Sequence, residues 1–416
     1  MRRNARPLQR LAAVAALCLA VVGFPARPQP NLGATAGDRL RILHVDVGQG
    51  DATVILGPGA PASGRVMLVD AGDINAGRGG LDGGRRVLAA LHKLGVRKLD
   101  YVVVTHYHAD HVGGLAGGPR LGHSVLLGPD GAPGVAGADD DGDGRADWLD
   151  AARRQPDRDE MGQGDDLYRP ETVFVDGEGP PKTASRAARS YAALRNPETR
   201  HAVRTAADLG SVYPLGGRAN ATLVAGNGYV WGRDDRIPGV NRPNERSLGI
   251  WVSYGAFDYL VCGDLTGQPK RPGDADSANL EGPLSETLVE RGIRLEALQV
   301  NHHGSANATR PDFIRRLQPL IALISVGNRN PYGHPAPQTL ATLTRQGVHV
   351  YQTERGVGRP ASSVTIAGGH VLIEARRQSF QVRNWGALGR RQFSDQYACR
   401  TNGSGTASGG NSGSRP

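Results

Sequence analysis

The chain has 416 residues, 39% of them hydrophobic, with 59 Gly, 27 Pro and 3 Cys. That suits one large or two to three modest domains, and it excludes a wholly disordered chain, a fibrous repeat and a disulfide scaffold. The formal charge of +9 sits at the ends: residues 1–36 carry five Arg and no acid, residues 376–416 carry +6, and residues 37–375 carry −2, so charge alone does not mark a nucleic-acid binder.

Residues 1–36 read as an export signal. Arg2, Arg3, Arg6 and Arg10 precede a 14-residue apolar run, Leu11 to Phe24, and Ala34-Thr35-Ala36 offers a small-x-small cleavage site. The expected location is therefore secreted, extracellular or periplasmic. This is the only run that approaches a membrane span, so a multi-span channel is excluded and no transmembrane channel is expected in this chain.

Leu40 to Val47 is a β-rich run that ends in the turn Gly48-Gln49-Gly50-Asp51. Strands follow at 52–56 and 66–69, the second ending in Asp70-Ala71-Gly72. A helix with Val87, Leu88, Leu91 and Leu94 on one face comes next, and then an apolar strand over 99–104. At its end stands Thr105-His106-Tyr107-His108-Ala109-Asp110-His111, with three His and one Asp within six residues. Imidazole and carboxylate are the usual zinc ligands and also suit manganese or iron. In such a turn His106 and His108 face one metal, while Asp110 and His111 face a second.

Two later strands end the same way. Phe257 to Cys262 leads into Gly263-Asp264, where a carboxylate can bridge two ions. Leu298 to Val300 leads into Asn301-His302-His303-Gly304-Ser305, where His302 or His303 would close the second shell. Asp70 is expected to orient a ligating His, and Asp51 to tie the glycine turn. His44 and His370 lie in strand patterns and read as structural.

HYHADH is the HxHxDH signature of the metallo-β-lactamase fold. The wider set resembles the C-terminal hydrolase domain of the DNA-uptake competence protein ComEC, in HVDVGQGDA (44–52), VDAG (69–72), THYHADHVGG (105–114), CGDL (262–265), HHGS (302–305) and NPYGHP (330–335). The resemblance covers about residues 38–375. It implies an α/β fold, a four-layer αβ/βα sandwich, with two divalent ions (Zn²⁺ or Mn²⁺) at one sheet edge. It also implies phosphodiester hydrolysis, with DNA, single-stranded by preference, as substrate and partner. Many members of the superfamily carry a further His before the bridging Asp. Here none falls between His201 and His302, and Asn244 or Ser247 is the candidate replacement. That leaves open a weakly held ion, manganese in place of zinc, or a single-ion enzyme. His334, in a Pro/Gly turn after the strand 321–326, is the candidate proton donor or charge partner for the leaving group. Ser305 is a candidate phosphate contact or a helix cap.

Residues from about 119 to 244 read as an insertion. Within it Asp139, Asp141, Asp143, Arg145, Asp147 and Asp150 follow the spacing of a calcium loop with Gly142 at the sharp turn, so a structural Ca²⁺ is expected. Residues 376–400 interleave Arg with Phe380, Trp385, Phe393 and Tyr397, which suits single-strand binding or a docking extension, and 401–416 is a Gly/Ser tail expected to be disordered. Two rival functions stay open. One is another hydrolase of the same fold (lactonase, β-lactamase, thioesterase or phosphorylcholine esterase). The other is a non-catalytic, calcium-stabilised surface-binding protein. The sequence gives no oligomeric state.

Overall fold

A computed structural model describes residues 38–73, 83–96, 98–115, 171–177, 185–194, 197–267, 278–328, 330–357, 362–386 and 392–400, with positions 125 and 179. The export segment 1–36, the calcium loop from Asp139 to Asp150 and the tail 401–416 lie outside the described residues.

The chain lays down β1 Leu40–His44, β2 Thr53–Leu56, β3 Val66–Val69, β4 Tyr101–Val103, β5 Val173–Asp176 and β6 Arg200–Ala202 as neighbours in one sheet. It then builds a second sheet from β7 Val212–Gly216, β8 Ala219–Gly226, β9 Tyr229–Val230, β10 Gly249–Tyr254, β11 Phe257–Val261, β12 Ala297–Gln299, β13 Ile321–Ile324, β14 His349–Gln352 and β15 Val364–Ile366. It returns to the first sheet with β16 His370–Ala375, β17 Ser379–Trp385 and β18 Ser394–Ala398. The orders are β18-β17-β16-β1-β2-β3-β4-β5-β6 and β15-β14-β13-β12-β11-β10-β8-β7, with β9 beside β8.

Strands β2 and β3 are runs of buried apolar residues because both faces are covered. Ile42, Ile55, Met67 and Val69 meet Tyr259, Val261, Ile321 and Leu323 of the second sheet. Leu43, Val54 and Leu68 meet Val87 and Leu91 of α1 Gly83–Lys93 on the other side. The outer face of the second sheet is covered by α4 Glu281–Glu290, α5 Pro311–Leu317 and α6 Pro337–Arg345, through Leu284, Leu288, Phe313, Leu317 and Leu343. The shorter helices α2 Ala109–Val112 and α3 Arg186–Leu194 belong to the first half. Helix, sheet, sheet and helix thus stack in four layers, as expected of the α/β sandwich.

Strands β3 to β6 are mutually parallel, and so are β11 to β15. The motif loops leave the carboxyl ends of β3, β4, β11, β12 and β13, where open α/β sheets gather ligands.

Two boundaries differ from expectation. Residues 119–244 are not one insertion, because β5 and β6 extend the first sheet and β7 to β9 complete the second. Residues 376–400 are not an appended extension either: β17 pairs with β16, and β18 with β17. Phe380 is buried against Phe257 and stacks on Tyr397, and Tyr351 Oη donates to Asp395. Those rings are used inside the fold. Among the described residues no helix is long and apolar enough to cross a membrane.

Candidate metal centre

Asp264 is the hub. It follows β11 and Gly263, whose φ of +51° and tight approach (an added Cβ would lie 2.4 Å from Thr105 Oγ1) press this turn against the end of β4. The carboxylate is 2% exposed, and its two oxygens face different groups. Oδ1 lies 3.2 Å from His111 Nε2 and 3.5 Å from His303 Nε2. Oδ2 lies 3.7 Å from His106 Nε2 and 3.4 Å from His302 Nε2. Two ligand-type clusters result: Asp51, His111, Asp264 and His303, and His106, His108 and Asp264.

These separations suit a shared cation better than hydrogen bonds. Ligands about 2.0–2.1 Å from a tetrahedral zinc lie roughly 3.3 Å from one another. Moreover Asp264 Oδ1, both Asp51 oxygens, His111 Nε2 and His303 Nε2 are buried and make no well-aligned hydrogen bond. Five converging polar atoms left in that condition would be costly without an ion. The residues therefore fit divalent cations. Electrostatics agrees. Burial pulls His111 and His303 down, but Asp264 and Asp70 outweigh it at His111, as Asp51 and Asp264 do at His303. Both imidazoles consequently stand well above the usual His range. Burial instead holds His106, His108 and His302 below it. Asp264 stands well below the carboxylate range: burial would raise it, but His302, His111 and His303 prevail.

Adjacent His302 and His303 face different oxygens of Asp264, and both adopt left-handed backbone, φ +53° and +52°. Such conformations cost about 1–3 kcal/mol each and collect at functional sites. They turn His303 to Asp51, Asp110 and Asp264 Oδ1, and His302 to Asp264 Oδ2 and Asn307. Asn244 stands beside His302, with Nδ2 3.2 Å from both Asp264 Oδ2 and His302 Nε2. Ser247 is fully buried nearby in sequence, and its hydroxyl has no partner.

Asp70 Oδ2 lies 2.8 Å from His111 Nδ1, and Asp70 accepts from Thr105 N and Thr105 Oγ1. Its own left-handed φ of +57° aims the carboxylate beneath the ring. Replacing Asp70 by Asn is expected to weaken metal affinity about 10–100-fold, as loss of an outer-shell partner typically does. Chelator competition measures this, and affinity within twofold of wild type would refute the role.

Asp51 is a correction. It does not tie its own turn by side-chain hydrogen bonds; it faces His303 at 3.4 Å and His111 at 3.9 Å inside the first cluster. Gly50, at φ +135°, makes this possible: an added Cβ would lie 2.4 Å from Asp110 O, and Asp51 N donates to that same carbonyl. Asp110 sits at the rim, its side chain 25% exposed, with Oδ2 3.3 Å from His303 Nε2. Ser305 is 1% exposed and its hydroxyl makes no hydrogen bond; it lies six residues ahead of Pro311, the first residue of α5, so it does not cap that helix. His334 is buried with its ring 5.4 Å from that of His302 and 6.0 Å from that of His303. His44, fully buried beside Tyr259 and pushed down to about 4 by burial, and His370, which accepts from Asp46 N, are structural as expected.

The profile of the Metallo-beta-lactamase superfamily matches residues 45–186. ComE operon protein 3 of Bacillus subtilis (strain 168) is 33% identical over 112 residues, which is 27% of this chain and 13% of that protein. Among solved structures, a diphosphatase from the PhnP family aligns at TM-score 0.34 and 12% identity, over 81% of this chain and 98% of its own. The MIM-2 metallo-beta-lactamase aligns at TM-score 0.30 and 11% identity, over 68% and 78%. Residues 45–186 are thus similar to the Metallo-beta-lactamase superfamily, and the chain resembles ComE operon protein 3 over a stretch that spans about an eighth of that protein.

Proposed function

We propose that the protein is an exported, metal-dependent phosphodiesterase that cleaves DNA. The observation that carries this reading is the division of the two Asp264 oxygens between two ligand clusters, which suits an in-line displacement held by two cations. The competence-type motif set favours DNA over the other substrates of the fold. The first 36 residues supply the export signal.

His106, His108, His302 and Asp264 would hold one cation, and Asp51, His111, His303 and Asp264 the other, with Asp110 at the rim. When bound, such cations lower the pKa of water and polarise phosphoryl oxygens. Asp70 fixes the orientation of His111. His334, one ring beyond both His302 and His303, is placed to give a proton to the departing oxygen. Asn244 Nδ2 is a neutral donor beside His302 and Asp264 Oδ2, available to a phosphate oxygen.

Purified protein incubated with single- and double-stranded DNA and Mn²⁺, Zn²⁺ or Mg²⁺ tests this, with Asp110→Ala as control. Cleavage lost in the variant is the expected result. An intact, metal-loaded protein that cleaves no DNA would overturn it and turn attention to small ester or lactone substrates.

A further inference from the structure

Four large apolar side chains are exposed among the described residues, and two of them, Tyr332 (61%) and Val357 (42%), adjoin the His334 loop. An exposed tyrosine alone means nothing. This one belongs to a ladder of rings. Tyr332 stacks on buried His334 at 5.7 Å and 30°, and His334 stacks on His303 at 6.0 Å and 27°. The ladder starts inside the ligand cluster and ends at the surface with an aromatic face open to solvent.

Its outer rung is pre-set. Asn330, itself buried, donates to Gly327 O and His334 O and accepts from His334 N, closing the 330–334 turn. Val357 N donates to the same His334 carbonyl, so the exposed Val357 borders the turn from the neighbouring loop. Gly327 packs on the 48–51 turn, where an added Cβ would lie 2.4 Å from Gln49 N, so this loop is seated directly on the one bearing Asp51. A stacking partner would therefore meet a surface whose distance to the cations is already fixed, which limits the entropy lost on binding.

We propose that Tyr332 is the platform of a nucleobase subsite, receiving the base next to the scissile phosphate. The inference rests on the phosphodiesterase reading and adds to it the form of the substrate. A base already paired and stacked in a duplex cannot lie on Tyr332, so the subsite selects single strands and frayed ends. Base–aromatic stacking is worth about 1–3 kcal/mol and tolerates any base. The site thus discriminates strandedness rather than sequence.

The test is equilibrium binding to the metal-loaded protein of two probes, an oligothymidylate and an abasic oligomer of equal length. Tyr332→Ala is expected to weaken the oligothymidylate by about ten- to a hundredfold and to leave the abasic oligomer within twofold. Tyr332→Phe, which keeps the ring, is expected to restore binding. Equal weakening on both probes, no weakening on either, or no binding of the oligothymidylate by wild type would overturn the subsite. Cleavage assays on the same preparations separate this from the parent reading. Wild type that cleaves DNA with binding indifferent to Tyr332 defeats the subsite alone. Ring-dependent binding without cleavage defeats the hydrolase reading and leaves Tyr332 as a base-stacking platform with no scissile phosphate beside it.

Discussion

Replacing Asp264 by Ala is expected to abolish metal-dependent hydrolysis, with kcat/KM falling at least a thousandfold and the fold intact. The size follows from its position. Among the described residues Asp264 is the one residue that both clusters share, an oxygen facing each, so one truncation opens both shells. Metal polarisation of the reacting group is worth several kcal/mol, and about 4 kcal/mol is a thousandfold in rate. The variant should also lose bound metal on gel filtration, read by elemental analysis. Asp264→Asn should fall nearly as far, because the amide keeps the shape but gives up the charge that balances His302, His111 and His303. Far-ultraviolet dichroism checks the fold, which the two sheets and their outer helices hold without this side chain. A variant that keeps its metal, or a tenth of wild-type turnover, would show that Asp264 is not shared.

The ligand loops were legible in the sequence because their residue types are improbable where they stand: His and Asp directly after runs of buried apolar residues. The pattern fails where the backbone decides. Nothing in a His-His pair says which ring turns which way, and it takes two left-handed residues to send His302 and His303 to opposite oxygens of one carboxylate. Asp51 reads as a turn residue because Asp after Gly-Gln-Gly is ordinary turn chemistry. Its inward aim depends on Gly50 pressing against the Asp110 carbonyl, which is a contact between segments far apart in sequence. Residues 119–244 hide their strands for another reason. The alternation of β7, with Tyr213 and Leu215 inside and Val212 outside, was available, but a Pro and two Gly around so short a strand disguise it as loop.

Glu281 had no sequence signal at all, yet its loss is expected to be the most damaging change outside the ligand set. It lies at the start of α4, fully buried, and holds the loop that carries His302 and His303. Oε1 accepts from Asn301 Nδ2 at 2.8 Å and Thr309 N at 2.6 Å, and Oε2 accepts from Arg310 N at 2.8 Å. Asn301 and Thr309 bracket the two left-handed histidines, and Thr309 is itself left-handed. Glu281→Ala strands three donors. At about 1–3 kcal/mol for each buried unsatisfied group, the expected destabilisation is roughly 3–9 kcal/mol, with metal affinity falling alongside as the histidines lose their seat. Glu281→Gln keeps the two bonds to Oε1 and sets its amide against Arg310 N, so it should cost about 1–3 kcal/mol. The carboxyl leaves a second signature. Burial pushes it up to about 7 from 4.5, against the pull of the Arg310 and Thr309 amides and Asn301. Because the folded value lies above the ordinary one, the native state binds more protons than the unfolded chain between about 4.5 and 7. This group's contribution to stability therefore falls as pH rises through that window and is level above it. Urea titrations from pH 5 to pH 8 on the metal-free protein should show that decline in wild type and a shallower one in Glu281→Gln, where Asp258, also pushed up to about 7 by burial, still contributes. A glutamine variant with the wild-type pH slope, or an alanine variant as stable as wild type, would mean that the histidine loop is held by something else.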